Sequence, residues 1–210
     1  MPFAPLLRAL VDLLAPRRCA ACDLVLEPAE EGFCGGCGLL LEPVPTEPDP
    51  AATSAFLYGG PVADAIRRLK YEGRTDLAPA LGSLLAGAAS VHAGRVDRVV
   101  PVPLHAVRLR ARGFDQAALL AVPVARALGV PLDMSHLGRR RDTKPQVGLE
   151  ADARAVNVRG AFLASPDPRR SRVLVVDDVR TTGATLAAAA VALREAGARE
   201  IRSLTLARTG

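Results

Sequence analysis

From residue 51 onward, apolar and polar positions follow two alternating periods. Short runs of β-branched and aromatic residues read as strands, and longer stretches with apolar residues three or four apart read as helices. The spacing predicts a strand over 54–58 and a helix striped by Val62, Ile66 and Leu69 that ends near Gly73. A second helix, capped by Asp76, runs to about residue 90. A strand over 96–102 and a helix over 114–128 follow, the helix disturbed by Pro123. Then come a strand over 130–137, a long polar stretch and an apolar segment over 158–163. The C-terminal part holds a strand at Val173, Leu174, Val175 and Val176, a helix over 186–196 closed by Gly197, and a last strand over 201–207. The run at 173–176 lacks polar alternation, as in a strand buried on both faces of a parallel sheet. Alternating strands and helices predict an α/β fold, a parallel sheet flanked by helices.

The first fifty residues differ. Leu6, Leu10 and Leu13, or Leu7, Leu10 and Leu14, lie at helical spacing, interrupted by Arg8 and Asp12. That pattern predicts an amphipathic helix rather than a secretion signal, and with no run long enough to span a membrane it points to a cytoplasmic protein. All four cysteines fall in Cys19-Ala-Ala-Cys22 and Cys34-Gly-Gly-Cys37. Two such knuckles place four thiolates at the corners of a tetrahedron, which favours a structural zinc over disulfide or redox readings. Four protein ligands leave no open coordination position, so this metal stabilises the fold and does no chemistry. Residues 42–50 carry four prolines and read as a stiff extended linker. The expected division is 1–50, an N-terminal helix, zinc ribbon and linker, followed by a main domain over 51–210.

Aromatic residues make up only 3% and tryptophan is absent, so Ala, Leu and Val must fill the core. The net charge of +5 permits contact with phosphates or nucleic acid without requiring it. Arginine dominates the cations. The only lysines, Lys70 and Lys144, both fall in segments expected to border a site.

That site is predicted where the 173–176 strand ends. Asp177 and Asp178 follow it, then the turn Thr181, Thr182, Gly183, Ala184, Thr185 and a helix. The first N–H groups of a helix have no intrahelical partner, and its dipole adds partial positive charge there. Gly183 lets the backbone approach a phosphate, and threonine hydroxyls can donate to its oxygens. The two acids cannot face that phosphate. They suit donors, such as the two hydroxyls of a ribose. Together the elements predict a phosphorylated ribose held in an open hollow above the turn. Nucleotide-triphosphate enzymes and phospho-acceptor domains also place acids after apolar strands. The first need a Gly-Lys-Ser/Thr loop, which neither lysine supplies, and the second carry their acids near the start of a domain.

A second anion site is expected at a neighbouring strand end. After Pro101 and Pro103, Arg108, Arg110 and Arg112 alternate with other residues in what reads as a loop, and guanidinium forks bind phosphate oxygens in bidentate fashion. The polar stretch over 139–158 is too long for an idle connection and reads as a lid, with a mobile surface insert of no catalytic role as the equal alternative. Closing the lid would exclude water from the bond being broken, with Lys144 and Arg154 as candidate cations for the leaving group.

In this order the pieces resemble the ComF family, an N-terminal four-cysteine zinc ribbon fused to a type I phosphoribosyltransferase domain. The resemblance covers nearly the whole chain. It is carried by the cysteines, Leu69-Lys70-Tyr71, Pro101-Val102-Pro103 with Arg108 and Arg112-Gly113-Phe114, Thr143 to Gln146, Arg154 with Asn157-Val158, Ala161-Phe162, and Asp177-Asp178 with Thr181 to Thr185. It implies that phosphoribosyl pyrophosphate (PRPP) binds with Mg²⁺ and that pyrophosphate leaves as a nitrogen acceptor attacks C1. It also implies a link to competence and DNA uptake beside a helicase-like protein, with single-stranded DNA as a further contact. Two departures stand out. Asp115 replaces the family's usual asparagine, putting a charge near the pyrophosphate segment, and Pro123 interrupts what is normally an unbroken helix. A non-catalytic accessory protein, sensing PRPP or purely structural, is the competing reading. A DNA-binding zinc module is weaker, because the knuckle loops lack arginine and Phe33 is their sole aromatic.

Overall fold

The computed structural model describes residues 16–45, 51–140, 160–167 and 169–210. The amphipathic segment predicted over 1–15, and Lys144 and Arg154, lie outside them. In chain order the elements are a short helix α1 (Gly35–Gly38), β1 (Ala52–Leu57), α2 (Gly60–Tyr71), α3 (Ala78–Ala88), β2 (Arg98–Pro101), α4 (Ala106–Arg112) and α5 (Gln116–Leu128). Then come β3 (Leu137–Arg139), β4 (Phe162–Ala164), β5 (Arg172–Arg180), α6 (Ala184–Glu195) and β6 (Glu200–Arg208). Four strands form one parallel sheet in the order β1-β6-β5-β2, while β3 and β4 pair as a small antiparallel ribbon.

The apolar run of β5 is buried on both faces because successive side chains point to opposite sides. Leu174 and Val176 join Ile66, Leu69, Leu81, Leu85 and Leu120 in a core beneath α2, α3 and α5. Val173 and Val175 face a second core with Leu186, Ala189 and Leu193 of α6 and Leu137 and Phe162 of the ribbon. Small side chains let the layers approach closely. A Cβ placed on Gly82 of α3 would lie 2.7 Å from Pro123 Cγ of α5.

The four-cysteine segment packs into the first core through Cys19, Ala20, Leu26 and Phe33. Residues 42–44 run antiparallel along the outer edge of β1: Val44 N–H donates to Ala55 O at 3.0 Å and Leu57 N–H to Glu42 O at 2.8 Å.

Several local expectations need correction. Pro123 sits inside α5 without breaking it, its ring taking the space that Gly82 leaves open. Asp76 does not cap the second helix; a 3₁₀ turn (Thr75–Leu77) precedes α3, and both Asp76 oxygens bind Arg74 at 2.9 Å. The strand predicted over 130–137 reduces to a bridge between Val99 and Leu132, with β3 beginning only at Leu137. Gly197 follows the C-cap of α6, which is Ala196; at φ +107 the glycine makes the left-handed step out of the helix.

Candidate functional site

β5 extends four residues beyond its apolar run, so Asp177 and Asp178 lie within the strand rather than after it. Its neighbour β2 ends at the same edge, where Val102 N–H donates to Val176 O at 2.8 Å. The β5 turn and the segment after β2 therefore open side by side at the C-terminal edge of the sheet, where ligands of parallel α/β sheets bind.

The turn meets the requirements of an anion cradle. Gly183 has φ +77, a left-handed conformation that favours glycine, and no side chain caps α6. Ala184 N–H makes only a long contact, 3.4 Å, to Thr182 Oγ1. Thr182 is exposed, and Thr181, Gly183, Ala184 and Thr185 are partly so. A phosphate can meet the first N–H groups of α6 there.

The acids stand differently from expectation. Asp177 is 9% exposed and Asp178 4%, so neither lies open above the turn. Asp178 Oδ2 is paired with Lys70 Nζ at 2.6 Å, while its Oδ1 accepts Val179 N–H at 2.7 Å. Asp177 Oδ1 accepts Asp178 N–H at 2.8 Å. The physical reason is repulsion: two adjacent carboxylates buried together need a nearby cation. Burial, reinforced by the Asp178 charge, still raises Asp177 well above the usual carboxylate range, against the pull of Lys70. Burial pulls the Lys70 ammonium down, but the Asp178 carboxylate more than offsets this and holds it above the ordinary lysine range.

The arginine segment is a helix, not a loop. His105 Nδ1 accepts Val107 N–H at 3.4 Å at its start, and Gly113 ends it at φ +83. Helical geometry places Arg108 and Arg112 four residues apart on one face and turns Arg110 away. Arg108 and Arg112 are accordingly half-buried and Arg110 is exposed. The Arg112 guanidinium stacks 5.5 Å from the Tyr71 ring and bonds Gln116 Oε1.

Asp115 caps α5 and ties down the segment after β2: Oδ1 accepts Ala118 N–H at 3.2 Å and Oδ2 accepts Leu104 N–H at 2.8 Å. The departure from asparagine thus supplies a cap, one an asparagine oxygen could also provide. Burial raises the Asp115 carboxyl above its usual range, with Asp178 adding repulsion and the N–H donors of Leu104, Ala118 and Ala117 opposing both.

Lys70 and Tyr71 join the site through folding, although the sequence assigns neither a role in it. Leu69-Lys70-Tyr71 stood out as a motif, but only folding reveals that its lysine meets Asp178.

A second constellation joins the four cysteines. Their Sγ atoms all lie within 4.8 Å of one another, and Cys22 and Cys34 Sγ are 3.6 Å apart. Zinc–thiolate bonds of about 2.3 Å in a tetrahedron require sulfur separations of roughly 3.8 Å, so the donor set fits a four-coordinate metal such as zinc. Burial alone would raise the Cys19 thiol, but N–H groups of Cys22, Cys34 and Ala21 bring it down to about 6, whereas burial pushes the Cys37 thiol up. Glu30 braces the second knuckle, accepting Gly35 N–H at 2.5 Å and Glu27 N–H at 2.8 Å. Arg68 of α2 clamps the first knuckle: its guanidinium donates to the carbonyls of Cys19, Ala20 and Ala21 at 3.2–3.4 Å and to Asp23 Oδ1 at 2.8 Å.

Among the described residues no helix is long and apolar enough to cross a membrane. The phosphoribosyl transferase domain family matches residues 115–210, a span that holds both acids and the whole threonine-glycine turn. With the parallel sheet and the strand–turn–helix at its centre, this assigns the type I phosphoribosyltransferase fold. DNA utilization protein YhgH of Escherichia coli K12 is 34% identical over 199 residues, covering 91% of this chain and 84% of its own. Competence protein F of Haemophilus influenzae is 29% identical over 221 residues, 91% of this chain and 96% of its own. Competence protein ComFC of Bacillus subtilis is 29% identical over 158 residues, 74% of this chain and 63% of its own. With the four-cysteine knuckle ahead of the phosphoribosyl transferase domain and relatives aligned across both, the chain belongs to the ComF family.

Proposed function

We propose that this protein binds Mg²⁺–PRPP and transfers its phosphoribosyl group to a nitrogen acceptor, in a role tied to the competence and DNA utilization for which its relatives are named. The single observation that carries the reading is the uncapped α6 N-terminus with its left-handed Gly183, set five residues beyond the second of two adjacent acids. The 5-phosphate would take the N–H groups and hydroxyls of Thr181 to Thr185, and the ribose hydroxyls would donate to Asp177 and Asp178. Pyrophosphate would meet Arg108 and Arg112, which share a face of α4, more readily than Arg110. Mg²⁺ would enter with the pyrophosphate, neutralising its charge. Zinc would belong to the four cysteines and have no part in the reaction.

A second reading is favoured by the burial of both acids and the Lys70 pair: a PRPP-sensing accessory protein that binds the sugar phosphate without turnover. One experiment separates the two. The protein is incubated with Mg²⁺ and PRPP against a panel of bases and amines, and pyrophosphate release and thermal protection are both measured. Release with one acceptor supports the enzyme, protection without release supports the sensor, and neither response contradicts both readings.

A further inference from the structure

Lys70 is the side chain for which the proposed chemistry has no role. It stands on α2, 18% exposed, with Nζ 2.6 Å from Asp178 Oδ2. Three carboxylates influence one another there, those of Asp115, Asp177 and Asp178, and Lys70 is the cation that acts on Asp177 and Asp178. In a chain whose other cations are arginines save one, a lysine here has a physical rationale. A compact ammonium fits beside a buried carboxylate without the wide fork of a guanidinium, and it keeps donors to spare after one bond is made.

We propose that Lys70 is the positioning residue of the sugar-phosphate site, holding Asp178 in place through its ion pair so that the acid pair can accept both hydroxyls of a ribose. The inference rests on the reading of this site as a PRPP site, and it names what regulates that site: the charge at position 70. Adjacent buried carboxylates without a cation relieve their repulsion by taking up a proton. A carboxyl that carries a proton must itself donate, and it no longer accepts from a hydroxyl at that oxygen. Burial and the neighbouring charges of Asp178 and Asp115 already push Asp177 upward, and Lys70 is the side-chain charge that opposes them. Tyr71 also acts on Lys70 and is a further titratable neighbour among the described residues. Without the ammonium, ligand binding becomes a matter of pH.

The test measures Mg²⁺–PRPP affinity by titration calorimetry at pH 7 and pH 9 for the full chain and for Lys70→Met and Lys70→Arg. Lys70→Met is expected to weaken binding at least tenfold at pH 7 and to regain most of that loss at pH 9. Lys70→Arg keeps the charge and should keep the parent's flat pH profile even if affinity falls. Lys70→Gln, which keeps a donor without the charge, serves if the methionine variant does not fold, and its expected profile is the same. Affinity within twofold of the parent at both pH values overturns the inference. An equal loss at both pH values overturns it too, since a merely structural role predicts that. A parent protein that binds no PRPP removes the proposed function itself, and this inference with it; a parent that binds and a variant that is indifferent removes the inference alone.

Discussion

Arg68 and Lys70, two residues apart on α2, look opposite ways. The Arg68 guanidinium is fastened to the carbonyls of Cys19, Ala20 and Ala21, while the Lys70 ammonium pairs with Asp178. Two residues correspond to about 200° around a helix, so one short element joins the knuckle on one side to the acid pair on the other. Arg68→Met leaves buried carbonyls unpaired and should cost about 2–4 kcal/mol. Urea unfolding checks it; a loss below about 0.5 kcal/mol would show that the clamp contributes little.

The knuckle itself makes a separate prediction. Metal analysis should find one zinc per chain, and Cys19→Ser, at a fully buried ligand position, should abolish it. Because metal binding free energy becomes folding free energy, the loss is on the order of several kcal/mol and appears as a lowered thermal midpoint. Metal-free protein that melts like the parent contradicts the assignment.

Burial and the Asp178 charge both oppose ionisation of Asp177, so its charged form comes at a cost to the fold. A carboxyl raised in the folded state favours folding at low pH and loses that contribution as pH rises through its folded value. Once ionised, the group therefore works against stability. Asp177→Asn keeps an oxygen for Asp178 N–H and should raise stability at pH 7 by about 1 kcal/mol while removing PRPP binding. Thermal melts with and without ligand read both effects. A variant that is destabilised, or one that still binds, counts against the account.

His92 sets an acid limit on the fold. It is fully buried, and its nitrogens have no hydrogen-bond partner among the described residues. Burial, then the charges of Arg202 and Arg95, lower it to about 4. Because the folded value lies below the unfolded one, the stability it allows is complete above about pH 6.5 and is lost as pH falls toward 4, by up to about 3 kcal/mol. His92→Leu should flatten that part of the profile, seen as a smaller difference between urea midpoints at pH 7 and pH 4. An unchanged difference contradicts it.

What the sequence disclosed and what it withheld divide along local and distant physics. Asp177 to Thr185 was legible because a doubly buried strand, an acid pair and a glycine turn are each written in neighbouring residues. The knuckles were legible for the same reason. The helix at 106–112 is hard to see in the sequence because it is short, rich in arginine and bears no apolar stripe; only its His105 cap and Gly113 stop betray it. Pro123 reads as a disruption in the sequence because Gly82, which makes room for its ring, lies on another helix. The burial of Asp178 could not be foreseen, because its partner Lys70 comes from a distant turn of chain brought in by the packing of α2 on the sheet.

The most direct measurement of the central claim is a crystal structure of the protein grown with Mg²⁺ and PRPP. The expected density puts the 5-phosphate on the N–H groups at Gly183 to Thr185, the ribose hydroxyls on Asp177 and Asp178, and the pyrophosphate toward Arg108 and Arg112. Density for the sugar phosphate at any other place, with Lys70 still closing an empty acid pair, would contradict it.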